Sequence, residues 1–313
     1  MSELPAAFPS PGSRGVDHPP VTVQQLVAVL NTRLQRAGVT DSRNEARDLV
    51  AAICEAPRFW PSLEPHAPLS ATIVTAALRA VERRAAGAPF AYAVERAAFR
   101  YLTLSVDERV LIPRQETELL VDQVLTMARG RPDLHLLDIG TGSGAIAIAL
   151  ASEGDFARVV ATDVSVDALN VARSNAKQHA GELRTPIEFR LGSFFAPVRD
   201  EQFDILVCNP PYIAFAEACD LPRSVRDWEP ATALVCGGDG LDATRHLIAQ
   251  APHHVRADGV LALEIDERRA VRVAEAFEPK RAWRDIRVHK DLAGRDRFVT
   301  ARRTNLPLHE DHR

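Results

Sequence analysis

Leu134-His135-Leu136-Leu137-Asp138-Ile139-Gly140-Thr141-Gly142-Ser143-Gly144 is a short apolar run that breaks into three alternating glycines. The apolar part reads as a buried strand. Ala145-Ile146-Ala147-Ile148-Ala149-Leu150 behind it reads as a helix whose small residues permit close packing on a sheet. Gly140, Gly142 and Gly144 reach φ values that a Cβ forbids and let a ligand approach the main chain. Such a loop alone serves dinucleotide sites and plain tight turns alike, and the next strand outward narrows the choice. Arg158-Val159-Val160-Ala161-Thr162-Asp163 ends in an acid 25 positions after Asp138. A carboxylate there accepts hydrogen bonds from both hydroxyls of a ribose, and the competing reading makes Asp163 a strand-end cap. Ser165 and Asp167 open the following helix, 168–180, as N-cap and acidic first turn. No basic residue lies between Gly140 and Gly144, and no Lys-Ser or Lys-Thr pair follows. The expected ligand is therefore a nucleoside without phosphates, held by Gly140, Thr141, Gly142, Ser143, Gly144 and Asp163.

A second motif follows another strand. Phe203-Asp204-Ile205-Leu206-Val207-Cys208 runs directly into Asn209-Pro210-Pro211-Tyr212, which puts a planar amide and a rigid double proline at the strand's carboxyl end. Asn209 offers a side-chain carbonyl, and Pro210 offers a main-chain carbonyl on a backbone whose φ is fixed by the ring. Two acceptors in fixed positions take both N–H bonds of an amide or of an exocyclic amine. Pro211 stiffens the turn, and Tyr212 supplies a flat face for a planar substrate. A Pro-Pro turn closing a strand is the plain alternative, and the glycine-rich loop upstream favours the clamp.

These segments resemble the seven-stranded S-adenosylmethionine-dependent methyltransferases. Within them the chain is similar to the HemK-like class that methylates a glutamine of peptide chain release factors. The resemblance spans about Val21 to Arg302. It rests on Leu111-Ile112-Pro113-Arg114-Gln115-Glu116-Thr117-Glu118-Leu119, Asp138 to Gly144, Asp163, Asn209 to Tyr212, Glu229-Pro230 with Ala233-Leu234, Gly237 to Leu241, Glu264-Ile265, and Lys290 to Arg297. The first and last of these discriminate most, because methyltransferases in general lack them. The resemblance implies an α/β fold, a mostly parallel seven-stranded Rossmann-like sheet with an antiparallel edge. S-adenosylmethionine is the implied cofactor, and the glutamine of the Gly-Gly-Gln loop of class I release factors the implied substrate. Asn209, Pro210 and Tyr212 become the catalytic group, with Phe194 packed on the purine and Asn209 also among the cofactor-binding residues.

Three positions depart from the family pattern. Gln115 stands in place of a proline, which loosens a turn. Asp266 replaces a glycine after Glu264-Ile265. Ser193 replaces an aspartate beside the adenine, keeping an acceptor but bringing no charge. Weaker cofactor binding is the expected consequence.

Composition bounds the alternatives. With 38 basic and 42 acidic residues, the chain has no surplus of positive charge for holding long nucleic acids. Methylation of an adenine amine in nucleic acid therefore ranks behind methylation of a protein glutamine, whether in a release factor or in a ribosomal protein. A non-catalytic cofactor-binding role ranks last. Cys54, Cys208, Cys219 and Cys236 form no C-x-x-C pair, which suits a reducing cytoplasm. The adjacent His253-His254 point in different directions on a helix, so no metal site is expected. No apolar stretch nears the ~20 residues of a membrane span, and no signal-peptide pattern opens the sequence. A cytoplasmic monomer is the expectation.

Five segments are expected. Residues 1–20, rich in proline, form a disordered tail. Residues 21–88 form a helical domain. Leu26, Val29, Leu30 and Leu34 mark its first helix, Ala46, Leu49, Val50 and Ile53 its second, and Val74, Ala77, Leu78 and Val81 its third, from Ser70 to about Ala86. The resemblance gives this domain the protein substrate to recognise. Residues 89–110 form a β-hairpin connector, with strand-like alternation from Phe99 to Val106. Residues 111–303 form the methyltransferase domain, closed by an antiparallel pair near 283–288 and 297–301. Residues 304–313 form a polar tail.

Overall fold

A computed structural model describes residues 20–277 and 282–305. The tails expected at 1–20 and 304–313 lie outside the described residues, apart from positions 20, 304 and 305. The chain divides into two compact units between Ala86 and Gly87.

The first unit is helical: α1 Val23–Arg36, α2 Ser42–Ile53, α3 Trp60–Leu63 and α4 Ala71–Ala85. Thr22 starts α1 through a capping box with Gln25, which satisfies two main-chain donors that a helix end leaves open. The stripe Val23, Leu26, Leu30 and Leu34 is fully buried, and α1, α2 and α4 pack on one another. Val29, off the stripe, is only half-buried. The single turn α3 was not foreseen, because four residues are too few to carry a helical period.

The second unit starts with a short helix, α5 Phe90–Ala93, and a hairpin of β1 Arg96–Phe99 with β2 Leu102–Ser105. The alternation expected to run unbroken from Phe99 to Val106 contains the turn. Arg100 has φ +53, and its side chain pairs with Glu153 at 2.6 Å, so the chain reverses there and the strand resumes at Leu102. Helices α6 Gln115–Ala128, α7 Ala145–Glu153 and α8 Val166–Gln178 alternate with β3 Leu134–Ile139, β4 Phe156–Asp163 and β5 Ile187–Leu191. The sequence reading placed α8 at 168–180. It begins two residues earlier because Ser165 is the N-cap, its hydroxyl accepting the Ala168 N–H at 3.1 Å. Strands β6 Phe203–Cys208, β7 Ile213–Ala214, β8 Val235–Cys236, β9 Val255–Glu264, β10 Trp283–Lys290 and β11 Asp296–Arg303 complete the set.

Seven strands form one sheet in the order β10-β11-β9-β6-β3-β4-β5. All are parallel except β11, which runs against both β9 and β10 and so lies one place in from the edge. Successive residues feed opposite cores. Leu136, Val159, Ala161, Ile205, Val207 and Ala262 join α6 and α7 on one face. Leu137, Val160, Leu206, Leu261 and Leu263 join the helices Asp242–His254 and Ala270–Phe277 on the other. Covering both faces explains why these strands read as continuous apolar runs. The strand order reverses direction between β3 and β6, and the carboxyl ends around that switch point form the crevice where open α/β sheets bind ligands. Among the described residues no helix is long and apolar enough to cross a membrane.

Candidate active site

A cavity of about 310 Å³ opens at these strand ends, within the size range of small-ligand sites. Its wall joins the loop after β3, the end of β4, the turn after β5 and the end of β6. Of the residues singled out in the sequence, Gly140, Thr141, Gly142, Ser143, Asp163, Phe194, Asn209, Pro210 and Pro211 line it. Gly144 and Tyr212 do not.

The glycine loop is held by its neighbours. The N–H groups of Gly140 and Thr141 both donate to the Thr162 carbonyl, at 2.8 and 2.9 Å, which staples the loop to β4. Gly140 and Gly142 have φ of +72 and +56, and a Cβ at either would meet nothing within 4 Å. Their shared requirement is the left-handed backbone and an open face. Gly144 differs: a Cβ there would come within 2.9 Å of Ile148 and 3.2 Å of Ala172, so its smallness lets α7 and α8 close on each other. Two side chains brace the loop from below. Thr141 donates to Asp138 at 2.7 Å, and Asn175 donates to the Ser143 carbonyl at 2.9 Å while bonding both main-chain groups of Ser105. Asp138 is fully buried, and burial pushes its carboxyl up to about 7.

Asp163 accepts the Gly142 N–H on one oxygen and the Ser165 N–H on the other, each at 2.9 Å. It therefore caps the strand end and also keeps a second lone pair on each oxygen for a ligand. The two readings of this residue are compatible. Phe194, at φ +46, is a non-glycine residue in the left-handed region on the cavity wall, its ring 4.4 Å from that of His246. Ser193 beside it is exposed to the cavity.

At the other end, Asn209 donates from Nδ2 to the Thr117 hydroxyl at 3.3 Å. That hydroxyl donates to Glu264 at 2.6 Å. Glu264 is 1% exposed, and burial pushes its carboxyl up to about 7. Among the described residues neither the Asn209 side-chain carbonyl nor the Pro210 carbonyl accepts a protein hydrogen bond, so both remain available at the cavity. Tyr212 sits away from the wall. Burial first, and then the nearby Glu264 charge, push its phenol up to about 12.

The segment 111–118 enters as a set of anchors. Arg114 pairs at 2.7 Å with Glu229, which also accepts the Ile112 N–H. Glu116 pairs with Arg295 at 3.1 Å, and Glu118 accepts the Arg100 N–H at 3.0 Å. Gln115 is the exposed first residue of α6, a position where proline is favoured but not required. Asp266 caps the 3₁₀ turn Glu267–Arg269 by accepting the Arg268 N–H and pairs with Arg269 at 2.6 Å. Arg269 in turn holds Glu217 and the Asp239 carbonyl. The strand exit that this substitution put in question is thus fastened by charge. Thr117 and Glu229 lie in segments that carry the resemblance but were given no role of their own, and Asn175 was not singled out, because each acts on residues 30 or more positions away.

Residues 25–94 match the model of a PrmC N-terminal domain, and residues 115–220 that of a methyltransferase small domain. A release factor glutamine methyltransferase of Moorella thermoacetica is 40% identical, over 90% of this chain and 99% of the relative. One of Xylella fastidiosa is 39% identical, over 88% and 96%. Among solved structures, the hMettl16 catalytic domain in complex with an RNA hairpin is 17% identical with a TM-score of 0.51, covering 76% of this chain and 83% of that one. That likeness is one of fold.

Proposed function

The chain belongs to the release factor glutamine methyltransferases, and from that premise we propose that it methylates the side-chain amide nitrogen of a glutamine in a class I peptide chain release factor. The methyl donor is S-adenosylmethionine. The observation that carries this reading is the single cavity that joins the glycine loop and Asp163 to the two open acceptors of Asn209 and Pro210.

The donor fits the residues present. The loop at Gly140 and Gly142 has open faces on which the main chain is accessible. Asp163 retains acceptor capacity for two ribose hydroxyls, and Ser193 and Phe194, both on the cavity wall, would offer the purine an uncharged surface. When bound, S-adenosylmethionine supplies a methyl group on a positively charged sulfur.

The rest of the reaction is done by the chain itself. An amide nitrogen is a poor nucleophile because its lone pair is delocalised into the carbonyl. Asn209 Oδ1 and the Pro210 carbonyl accept the two N–H bonds of the glutamine amide, orienting the nitrogen and favouring the pyramidal form that exposes its lone pair. As the C–N bond forms, the nitrogen's surplus proton leaves along these acceptors to water, so no dedicated base is required. Methyl transfer discharges the sulfonium, and a dry site then has no separated charges to solvate. The helical segment 21–88 recognises the protein substrate, and the reaction takes place in the cytoplasm.

The test is a labelled-methyl transfer assay offering release factor, release factor with its Gly-Gly-Gln glutamine replaced by glutamate, and an adenine-containing oligonucleotide. Label is expected on the first alone. Equal labelling of the glutamate variant would move the target elsewhere, and labelling of the oligonucleotide would make an exocyclic amine the substrate.

A further inference from the structure

An amide side chain is nearly symmetric in shape, so Asn209 can act as a two-acceptor clamp with Pro210 only if something keeps its oxygen toward the substrate and its NH2 away. Turned over, it would present two donors to a substrate NH2 that is also a donor. The surroundings of Asn209 supply the missing constraint. Glu264 and Thr117 are 1% and 4% exposed, so protein groups are their main partners. In its ionised form, which prevails above about pH 7, Glu264 can only accept, and the Thr117 hydroxyl carries one proton, which is then spent on Glu264 at 2.6 Å. What the hydroxyl oxygen has left is lone pairs. It can therefore take a hydrogen bond only from the Nδ2 end of Asn209, which lies 3.3 Å away. The oxygen end must turn from Thr117 toward the cavity that Asn209 lines.

We infer that Thr117 and Glu264 are positioning residues that set the Asn209 amide flip through the one-way chain Asn209 to Thr117 to Glu264, and so decide which chemical group the site accepts. This rests on the proposed role of Asn209 as acceptor for the glutamine amide. The three residues come from the ends of β6 and β9 and the first turn of α6, so the chain also locks the segment 111–118 in register with the strand ends. Removing the hydroxyl leaves the amide without a preferred face. Keeping a hydroxyl on a different stem preserves the polarity.

The test is a double-mutant cycle. Thr117→Val should lower kcat/KM for release factor about 100-fold, with calorimetric cofactor affinity within about threefold of the parent. Thr117→Ser should recover to within about fivefold. In an Asn209→Ala background, Thr117→Val should cost nothing further, because the group it orients is gone. An undiminished loss in that background, or a Thr117→Val enzyme within twofold of the parent, would overturn the inference. An independent readout needs neither substrate nor cofactor. In protein labelled with 15N at asparagine, the side-chain NH2 pair of Asn209 should shift in Thr117→Val and hold in Thr117→Ser. An unmoved pair in the valine variant sinks the proposal even if activity falls. A shifted pair with release factor unmethylated by the parent would leave the orientation standing and the substrate reading refuted.

Discussion

At one end of the cavity the ligand-facing groups are glycines and main chain; at the other they are side chains held by side chains. The glycine loop needs only its own φ angles, two staples to Thr162 and the Asp163 carboxylate, all within about thirty positions of one βαβ unit. The acceptor end needs Asn209, Thr117 and Glu264, with 147 positions between the last two. The first design tolerates little change in shape because a Cβ occupies the space the ligand needs. The second tolerates shape but not a change in hydrogen-bond polarity. Both ends bury an acid, Asp138 beneath the loop and Glu264 beneath the clamp, so each depends on an expensive group placed where water cannot reach.

The contrast breaks most sharply at Asn209. Asn209→Ala should leave cofactor affinity within about twofold while methyl transfer falls by about 10³ or more, the scale of removing a preorganised polar group from the reacting atoms. Asn209→Asp keeps an acceptor and should lose less. Parallel losses of binding and turnover in a calorimetry and single-turnover comparison would merge the two ends into one.

Gly142→Val is the mirror experiment. No protein atom lies within 4 Å of its Cβ, so the fold should survive the roughly 1–2 kcal/mol of left-handed backbone strain, while cofactor affinity falls at least about 100-fold. Unchanged calorimetric affinity would remove the loop from the site.

The two buried acids give a pH signature. For Glu264 the folded-state value of about 7 lies above the ordinary 4.5. Folding therefore favours the protonated form, and the stability is present below the ordinary value and lost as pH rises through about 7. The difference of about 2.5 units corresponds to roughly 3 kcal/mol. Asp138 behaves in the same sense, from 3.8 to about 7. Urea unfolding at pH 5 and pH 8 should show the parent losing stability between them, and Glu264→Gln losing less. A parallel pH dependence in parent and variant would mean that Glu264 does not titrate in this window.

The smallest expected effect lies at the entry to α6. Gln115 is exposed at the first helical position, and Arg114 before it is already extended at φ −99 and ψ 144, the conformation a following proline demands. Gln115→Pro should stabilise by about 0.4–1 kcal/mol without changing turnover. A gain in turnover would show that slack in this segment reaches Thr117.

Legibility divides along the same line. The glycine loop, Asp163 and the strand run at 203–208 could be read directly, because φ demands and two-faced burial imprint themselves on neighbouring residues, while the half-exposed edge strand 187–191 showed as alternating apolar and polar residues. The hairpin turn at Arg100 was hidden by an alternation that continued across it. Tyr212, read as a stacking face, does not line the cavity, since a residue after two prolines gives no local sign of where its ring points. Asp266 and Gln115, odd by family pattern, are explained by an ion pair to Arg269 and by exposure at a helix start.

By itself the sequence determined the alternating α/β order, the glycine loop, the acid that follows it, and the presence of an amide and two prolines at a strand end. Each of these follows from the local backbone requirements of neighbouring residues. Only the tertiary structure decided that Gly144 serves helix packing, that Asp163 is cap and acceptor at once, and that Thr117 and Glu264 stand behind Asn209. A hydrogen bond between side chains is a matter of a few ångströms and an unshared proton, and chain order carries no record of which distant residues the sheet will bring within that reach.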